Sequence, residues 1–345
     1  MTKHSKQAPK KPRQPKTKDT TNAHPPFGWD ELAAILHSRE KEITLVVGAG
    51  IHCVPKWERP LTYERGRLLS SWSALLDSIS PKIPQSPSPI LRWELALLQQ
   101  HSDEQANEQA NERNSAEFSK LQQTVIAAES EVLDHQCQYD LVKAVIAASC
   151  VENIISLNFD LTIEHLLLKS GEPFPSVARD DAETNIADHL GRRRKTGRCV
   201  IWHPHGDRES SEGSCIGLRE YALRAKDLED ARDNYKKAER TKTFVASEPR
   251  TWIDLIMSTN VIFVGTSLDF SEWDIWFALV NRWRNYAKLD KKQYEPKTFV
   301  LTTGDRHASL PNQFTRLSAP DYEQGWKWLG AVMNGSNNSP TSSAE

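Results

Sequence analysis

No two cysteines of this 345-residue chain form a C-x-x-C pair; the five present, Cys53, Cys137, Cys150, Cys199 and Cys215, are scattered and odd in number. That pattern disfavours a zinc ribbon and a disulfide framework, and it fits a reducing cytoplasm. No run of about 18 apolar residues is present, which argues against a membrane span. The opening residues hold no apolar segment of the secretory kind, so a cytoplasmic location is expected. Net charge is also small: 44 Lys and Arg against 46 Asp and Glu give −2, a balance that does not point to a nucleic-acid coat or a membrane-surface protein. What the chain does have is tryptophan, eleven residues of it, and these mark a real core.

The length suits one large α/β domain or two small ones. Residues 1–26 carry Lys3, Lys6, Lys10, Lys11, Arg13, Lys16 and Lys18 with no acid before Asp19. This composition cannot bury enough apolar surface to fold alone. It reads as a solvated tail, with an arm for nucleic acid or an acidic partner as the functional alternative. In "FGWDELAAILHSRE", Trp29, Leu32, Ile35 and Leu36 fall at helical spacing. "SSWSALLDSI" reads as a helix capped by Ser70 or Ser71. From Ile90 to Ser149 the pattern is helical almost throughout, interrupted by "EQANEQANE", an exposed helix end or a loose connector. The expected organisation is a basic tail over 1–26, one domain over 27–334 with a helical insertion at about 90–149, and a second tail over 335–345.

Five short apolar, β-branched runs predict strands: "ITLVVG", "NIISLN", "RCVIWH", "NVIFVG" and "TFVLTT". Alternation with helical stretches predicts a parallel, Rossmann-like sheet covered on both faces. Ligands of such sheets bind at the carboxyl ends of the strands, so the strand tips belong together. Gly48-Ala49-Gly50 lets a backbone approach a ligand and offers amides to a phosphate, although the full G-x-G-x-x-G fingerprint is missing. In "SLNFDLTIEHLL", Asn158 is an amide placed to hold a sugar hydroxyl or a water, while Asp160 fits a helix N-cap as well as a site. In "VIWHPHGD", His203 and His205 are candidate general bases; as metal ligands they lack a third partner nearby. Gly265, Thr266 and Ser267 precede a helix expected to bury Trp273, Trp276 and Phe277, and suit ribose or phosphate oxygens or plain capping.

Taken in order, G-A-G-I, N-x-D, H-G and G-T-S-L resemble the sirtuin-like family, and the spacing is most like that of the sirtuin-like effectors of bacterial anti-phage defence. "SSWSALL", "HPHGD" with "CIGLREYAL", and "VIFVGTSLDFSEWDI" carry the resemblance from about Ile43 to Thr303. It implies NAD as the substrate. Gly48, Ala49 and Gly50 would line the diphosphate, Asn158 would sit at the nicotinamide ribose, and Asp160 would support that pocket. His205 would be the catalytic histidine, and Thr266 and Ser267, beside Gly265, would contact the adenosine half. Two departures stand out. His52 replaces the usual Ser or Thr, either to touch a phosphate or to point outward, and "KWERPLTYERGRLL" lengthens the following loop as a lid or partner surface.

Protein-deacylating sirtuins carry a zinc module of two C-x-x-C pairs, which this chain lacks. The resemblance therefore implies NAD hydrolysis to nicotinamide and ADP-ribose, without zinc or another metal. A non-catalytic NAD-sensing or nucleotide-sensing scaffold is the rival reading, disfavoured by the joint presence of Asn158 and His205. An unrestrained NAD hydrolase would kill its host, so control by a homo-oligomer or by a partner, for example a HerA-type ATPase, is expected. The insertion over 90–149 is the expected contact surface, facing away from the strand tips.

Overall fold

The computed structural model describes residues 28–38, 42–53, 66–79, 88–99, 106–134, 139–168, 187–197, 199–209, 214–243, 248–288, 292, 295–304 and 306–335. The tail over 1–26, all but the first residue of the tail over 335–345, and most of "KWERPLTYERGRLL" lie outside them. A seven-stranded sheet runs in the order β3-β4-β2-β1-β5-β6-β7. Its members are β1 (Ile43–Val47), β2 (Val151–Ser156), β3 (Arg193–Thr196), β4 (Cys199–Trp202), β5 (Asn260–Val264), β6 (Thr298–Thr303) and β7 (Phe314–Ala319). All pairings are parallel except β3 with β4. This is the expected Rossmann-like α/β arrangement, and every strand read from an apolar run is present.

The central strands β1 and β5 are buried at all five positions, as strands covered on both faces require. Their side chains alternate between two cores. Leu45, Val47, Ile262 and Val264 pack on one face with α1 (Gly28–Ser38), α5 (Asp140–Ile146) and α11 (Tyr322–Met333); Val46, Val261 and Phe263 pack on the other with α8 (Leu218–Thr241), α9 (Trp252–Ser258) and α10 (Trp273–Tyr286). Trp29, Trp202, Trp252 and Trp326 are fully buried. Trp273, Trp276 and Phe277 are not; they are half-buried, and α10 turns Asp274, Ile275, Ala278 and Leu279 inward instead.

Two strands were not expected. β3 reads "RRKT" and has no apolar signal. It forms because its backbone pairs with β4 and its charges find partners. Arg194 donates to Asp207 Oδ2 at 3.1 Å, as does Arg192 just before the strand at 3.2 Å, and Arg193 lies 5.0 Å over the Trp202 ring. β7 is half-exposed, so its pattern is weak.

The insertion contains α3 (Pro89–Gln99), α4 (Ala106–Asp134) and α5, and "EQANEQANE" enters the start of α4. It does not face away from the strand tips, contrary to expectation. Buried Glu129 of α4 accepts from Leu161 N–H and from Arg208, just past the β2 and β4 tips. Ser71 caps α2 (Trp72–Ile79), its Oγ accepting from Ala74 N–H at 3.1 Å.

Candidate active site

A cleft of about 550 Å³ opens over the carboxyl ends of the central strands, within the range of small-molecule sites. It is lined by Gly48, Ala49, Gly50, Asn158, His205, Gly265, Thr266 and Ser267, so the residues expected from four separate tips share one cavity. Ile90 of α3 and Trp72 of α2 form part of its wall.

The glycines explain how two tips fit together. A Cβ on Gly48 would lie 2.6 Å from Gly265 O, and one on Gly50 would lie 2.7 Å from Gly265 Cα. Gly265 itself sits at φ +65°, and its Cβ would lie 2.8 Å from Ile51 N. The β1 and β5 tips thus interlock at backbone contact, which only hydrogen side chains allow. The same contact limits the expected phosphate cradle. Gly48 N–H donates to Val264 O at 3.0 Å and Gly50 N–H to Gly265 O at 2.6 Å, so these two amides are already bonded.

Asn158 follows β2 and is 4% exposed, and its Nδ2 has no hydrogen-bond partner among the described residues. A buried amide left so is costly unless something else accepts from it. Across the cleft, His205 Nε2 lies 3.1 Å from Asp274 Oδ2, with the imidazole edge-on to Tyr221 at 5.6 Å. Burial alone would lower the His205 pKa, but the charge and hydrogen bond of Asp274 and the charge of Glu272 outweigh it and hold it above the ordinary histidine value. Burial likewise opposes ionisation of Asp274, yet His205 keeps its carboxyl below the usual range. With Nε2 donating to Asp274, Nδ1 is the nitrogen left to accept a proton.

Asp274 and Glu272 were not anticipated from the sequence. Both lie in "DFSEWDIW", which reads as a capping segment and the first turn of a helix; Asp274 is placed by its contact with His205, past the β4 tip, and Glu272 by its bonds from Thr266, past the β5 tip. Glu272 lines the cleft, and Thr266 Oγ1 lies 2.8 Å from each of its carboxylate oxygens. Burial raises its pKa to about 7, opposed only in part by the Thr266 bond. Ser267 Oγ donates to Asp269 Oδ2 at 2.9 Å, and Asp269, not Ser267 or Ser271, caps the following turn. Cys215 also lines the cleft, but burial pushes its thiol far up, which removes it as a nucleophile.

His52 and Asp160 occupy a layer beneath this cleft and do not line it. His52 is 1% exposed, so it neither points outward nor meets a ligand in the cleft. Its Nδ1 accepts from Tyr139 Oη at 3.0 Å and its Nε2 donates to Asp160 Oδ2 at 3.3 Å. Asp160 Oδ1 accepts from Thr162 N–H at 3.0 Å. Burial would raise the Asp160 pKa, but His52 and Thr162 together hold it below the ordinary value. His203 also faces away from the cleft, 2.6 Å from Glu164 Oε1 in the interior. Among the described residues no group of three or more His, Cys, Asp or Glu is placed to hold a metal ion, and no helix is long and apolar enough to cross a membrane.

A family model described as a SIR2-like domain matches residues 152–316. The matched stretch holds Asn158, Asp160, His205, the Gly265–Ser267 tip and both unanticipated carboxylates; the β1 tip precedes it. SIR2-like domains are in general NAD-dependent enzymes. No curated protein matches the chain.

Proposed function

From the premise that this chain carries a SIR2-like domain, we propose that it is an NAD hydrolase. It takes NAD and water to nicotinamide, ADP-ribose and a proton. The observation that carries the reading is Asn158 Nδ2, without a hydrogen-bond partner among the described residues and buried at the wall of the cleft that His205 also lines. The C1′–nicotinamide bond breaks through an oxocarbenium-like state, so the site must hold the ribose and present a water. Asn158 Nδ2 donates to a ribose hydroxyl or to that water. His205 Nδ1 takes the proton as the C1′–O bond forms, and Asp274 fixes the ring and stabilises the resulting imidazolium. Such positioned base help contributes on the order of 10²–10⁴-fold.

Likeness to sirtuin-like effectors supports a cytoplasmic role in anti-phage defence by NAD depletion. Self-assembly or a partner such as a HerA-type ATPase would then hold the activity in check. The test is to incubate the purified full chain with NAD, alone and with candidate partners, and to separate nicotinamide and ADP-ribose by chromatography. Wild type releases both in equal amounts; Asn158→Ala keeps the thermal midpoint and loses the release, and His205→Ala keeps the fold, with a lower midpoint because buried Asp274 loses its partner, and loses the release. A His205→Ala protein with the wild-type rate would refute the assigned base. Tight NAD binding without turnover in every condition would favour a nucleotide-sensing scaffold.

A further inference from the structure

A dinucleotide brings phosphate charge into a partly desolvated cleft, and that charge needs a donor of opposite sign. The glycine tip supplies less than its sequence promises, because the Gly48 and Gly50 amides are bonded to Val264 and Gly265. Asp269 and Glu272 line the same cleft and add charge of the wrong sign. Among the described residues that line it, Arg306 is the one guanidinium or ammonium.

Arg306 stands just past the tip of β6. Its backbone is pinned: Thr302 Oγ1 donates to Arg306 O at 2.6 Å, and Arg306 N–H donates to Thr303 O at 3.2 Å. Its guanidinium lies 5.5 Å over the Tyr322 ring, with Nη1 3.5 Å from Tyr322 Oη. The side chain is exposed and has no ion-pair partner among the described residues. The adjacent His307 Nε2 donates to Thr266 O at 3.2 Å, which joins the β5 and β6 tips into one rim. β1, β5 and β6 are neighbours in the sheet, so the β6 end of this rim stands about 10 Å from the glycine tip at ordinary strand spacing. An arginine side chain there reaches toward a phosphate laid across the tips.

We propose that Arg306, pre-oriented on Tyr322, is the residue that binds a phosphate of the dinucleotide substrate. The inference rests on the dinucleotide reading of the cleft. The phosphate comes either from the diphosphate common to NAD and NADP or from the adenosine 2′-phosphate of NADP, and a binding experiment separates the two. ADP-ribose and its 2′-phosphate are titrated calorimetrically into the full-length wild type and into Arg306→Gln and Arg306→Lys at two salt concentrations. Because the side chain is exposed, both variants are expected to keep the wild-type thermal midpoint. Arg306→Gln should weaken binding about 10- to 100-fold, the size of a charge-assisted contact, and should reduce the salt dependence; Arg306→Lys should keep part of the affinity. Equal losses for both ligands assign the diphosphate, and a loss confined to the phosphorylated ligand assigns the 2′-phosphate. Wild-type affinity of Arg306→Gln for both ligands overturns the proposal alone. If wild type binds neither ligand, the dinucleotide reading falls and takes the proposal with it.

Discussion

His205 Nε2 and Asp274 Oδ2 stand 3.1 Å apart, both side chains almost fully buried, at the meeting of the β4 tip and the first turn of α10. The carboxylate selects the tautomer that leaves Nδ1 as the proton acceptor. It also lifts the His205 pKa above the ordinary histidine value against the pull of burial. A base works unprotonated, so kcat for nicotinamide release should rise with pH through a value above 6.5. In Asp274→Asn the plateau should fall by about 10²-fold or more, and the rising limb should move to lower pH. A pH–kcat profile reads both; an unshifted limb would show that the pair does not govern the base.

Glu272 sets a second pH dependence, in binding. Its carboxyl ionises at about 7, in a cleft shared with Asp269 and close to His205 and Asp274. Below that pH it is neutral; above it the cleft gains negative charge facing a phosphate-bearing ligand. KM for NAD should therefore rise between pH 6 and 8, a rough span set by one pH unit on either side of the titration. Glu272→Gln should flatten that rise and move the kcat limb to lower pH by less than Asp274→Asn does, because Glu272 is the lesser of the two charges that lift His205. Steady-state kinetics across the range separates the two effects.

The interlocked tips make a prediction about stability. Gly265→Ala puts a Cβ 2.8 Å from Ile51 N on backbone at φ +65°, so left-handed strain and overpacking act together, about 3 kcal/mol or more. Gly197 has a similar φ of +57° in the β3–β4 hairpin but nothing within 4 Å, so Gly197→Ala carries the strain alone, about 1–2 kcal/mol. Urea unfolding should rank them in that order, with NAD affinity lost only in the first.

His52→Ser restores the small hydroxyl usual in the resembled family. Here it would take the His52 bond from Asp160 Oδ2 and from Tyr139 Oη and open a cavity in a layer with no exposure to speak of. The expected loss is about 2–4 kcal/mol, read as a lower thermal midpoint. His52→Ser with wild-type stability would mean the three side chains are not a unit.

Much of the sheet was legible because burial on both faces writes itself as short, continuous β-branched runs, as in "ITLVV" and "NVIFV". β3 was not legible, since "RRKT" becomes a strand through pairing with β4 and through the bond of Arg194 to Asp207, and neither leaves a hydrophobic pattern in the strand itself. Asn158, His205 and the three glycines were visible because strand tips in a parallel sheet converge on one edge. Asp274 and Glu272 were hidden, because a carboxylate at a helix start reads as a cap wherever it occurs.

The sequence by itself determined the α/β alternation, the tips that meet in the cleft and the likeness to sirtuins, all of which follow from local patterns and chain order. The tertiary structure decided how each polar group is used. It bonded the Gly48 and Gly50 amides to their neighbours, turned His52 inward to Asp160, and set Asp274 against His205. It also brought the insertion to the cleft wall through Ile90 and to Leu161 and Arg208, past the β2 and β4 tips, through Glu129. The physical reason is that strand and helix periodicity are properties of a segment. A buried polar side chain instead takes whichever partner packing brings within about 3 Å, and that partner comes from anywhere along the chain.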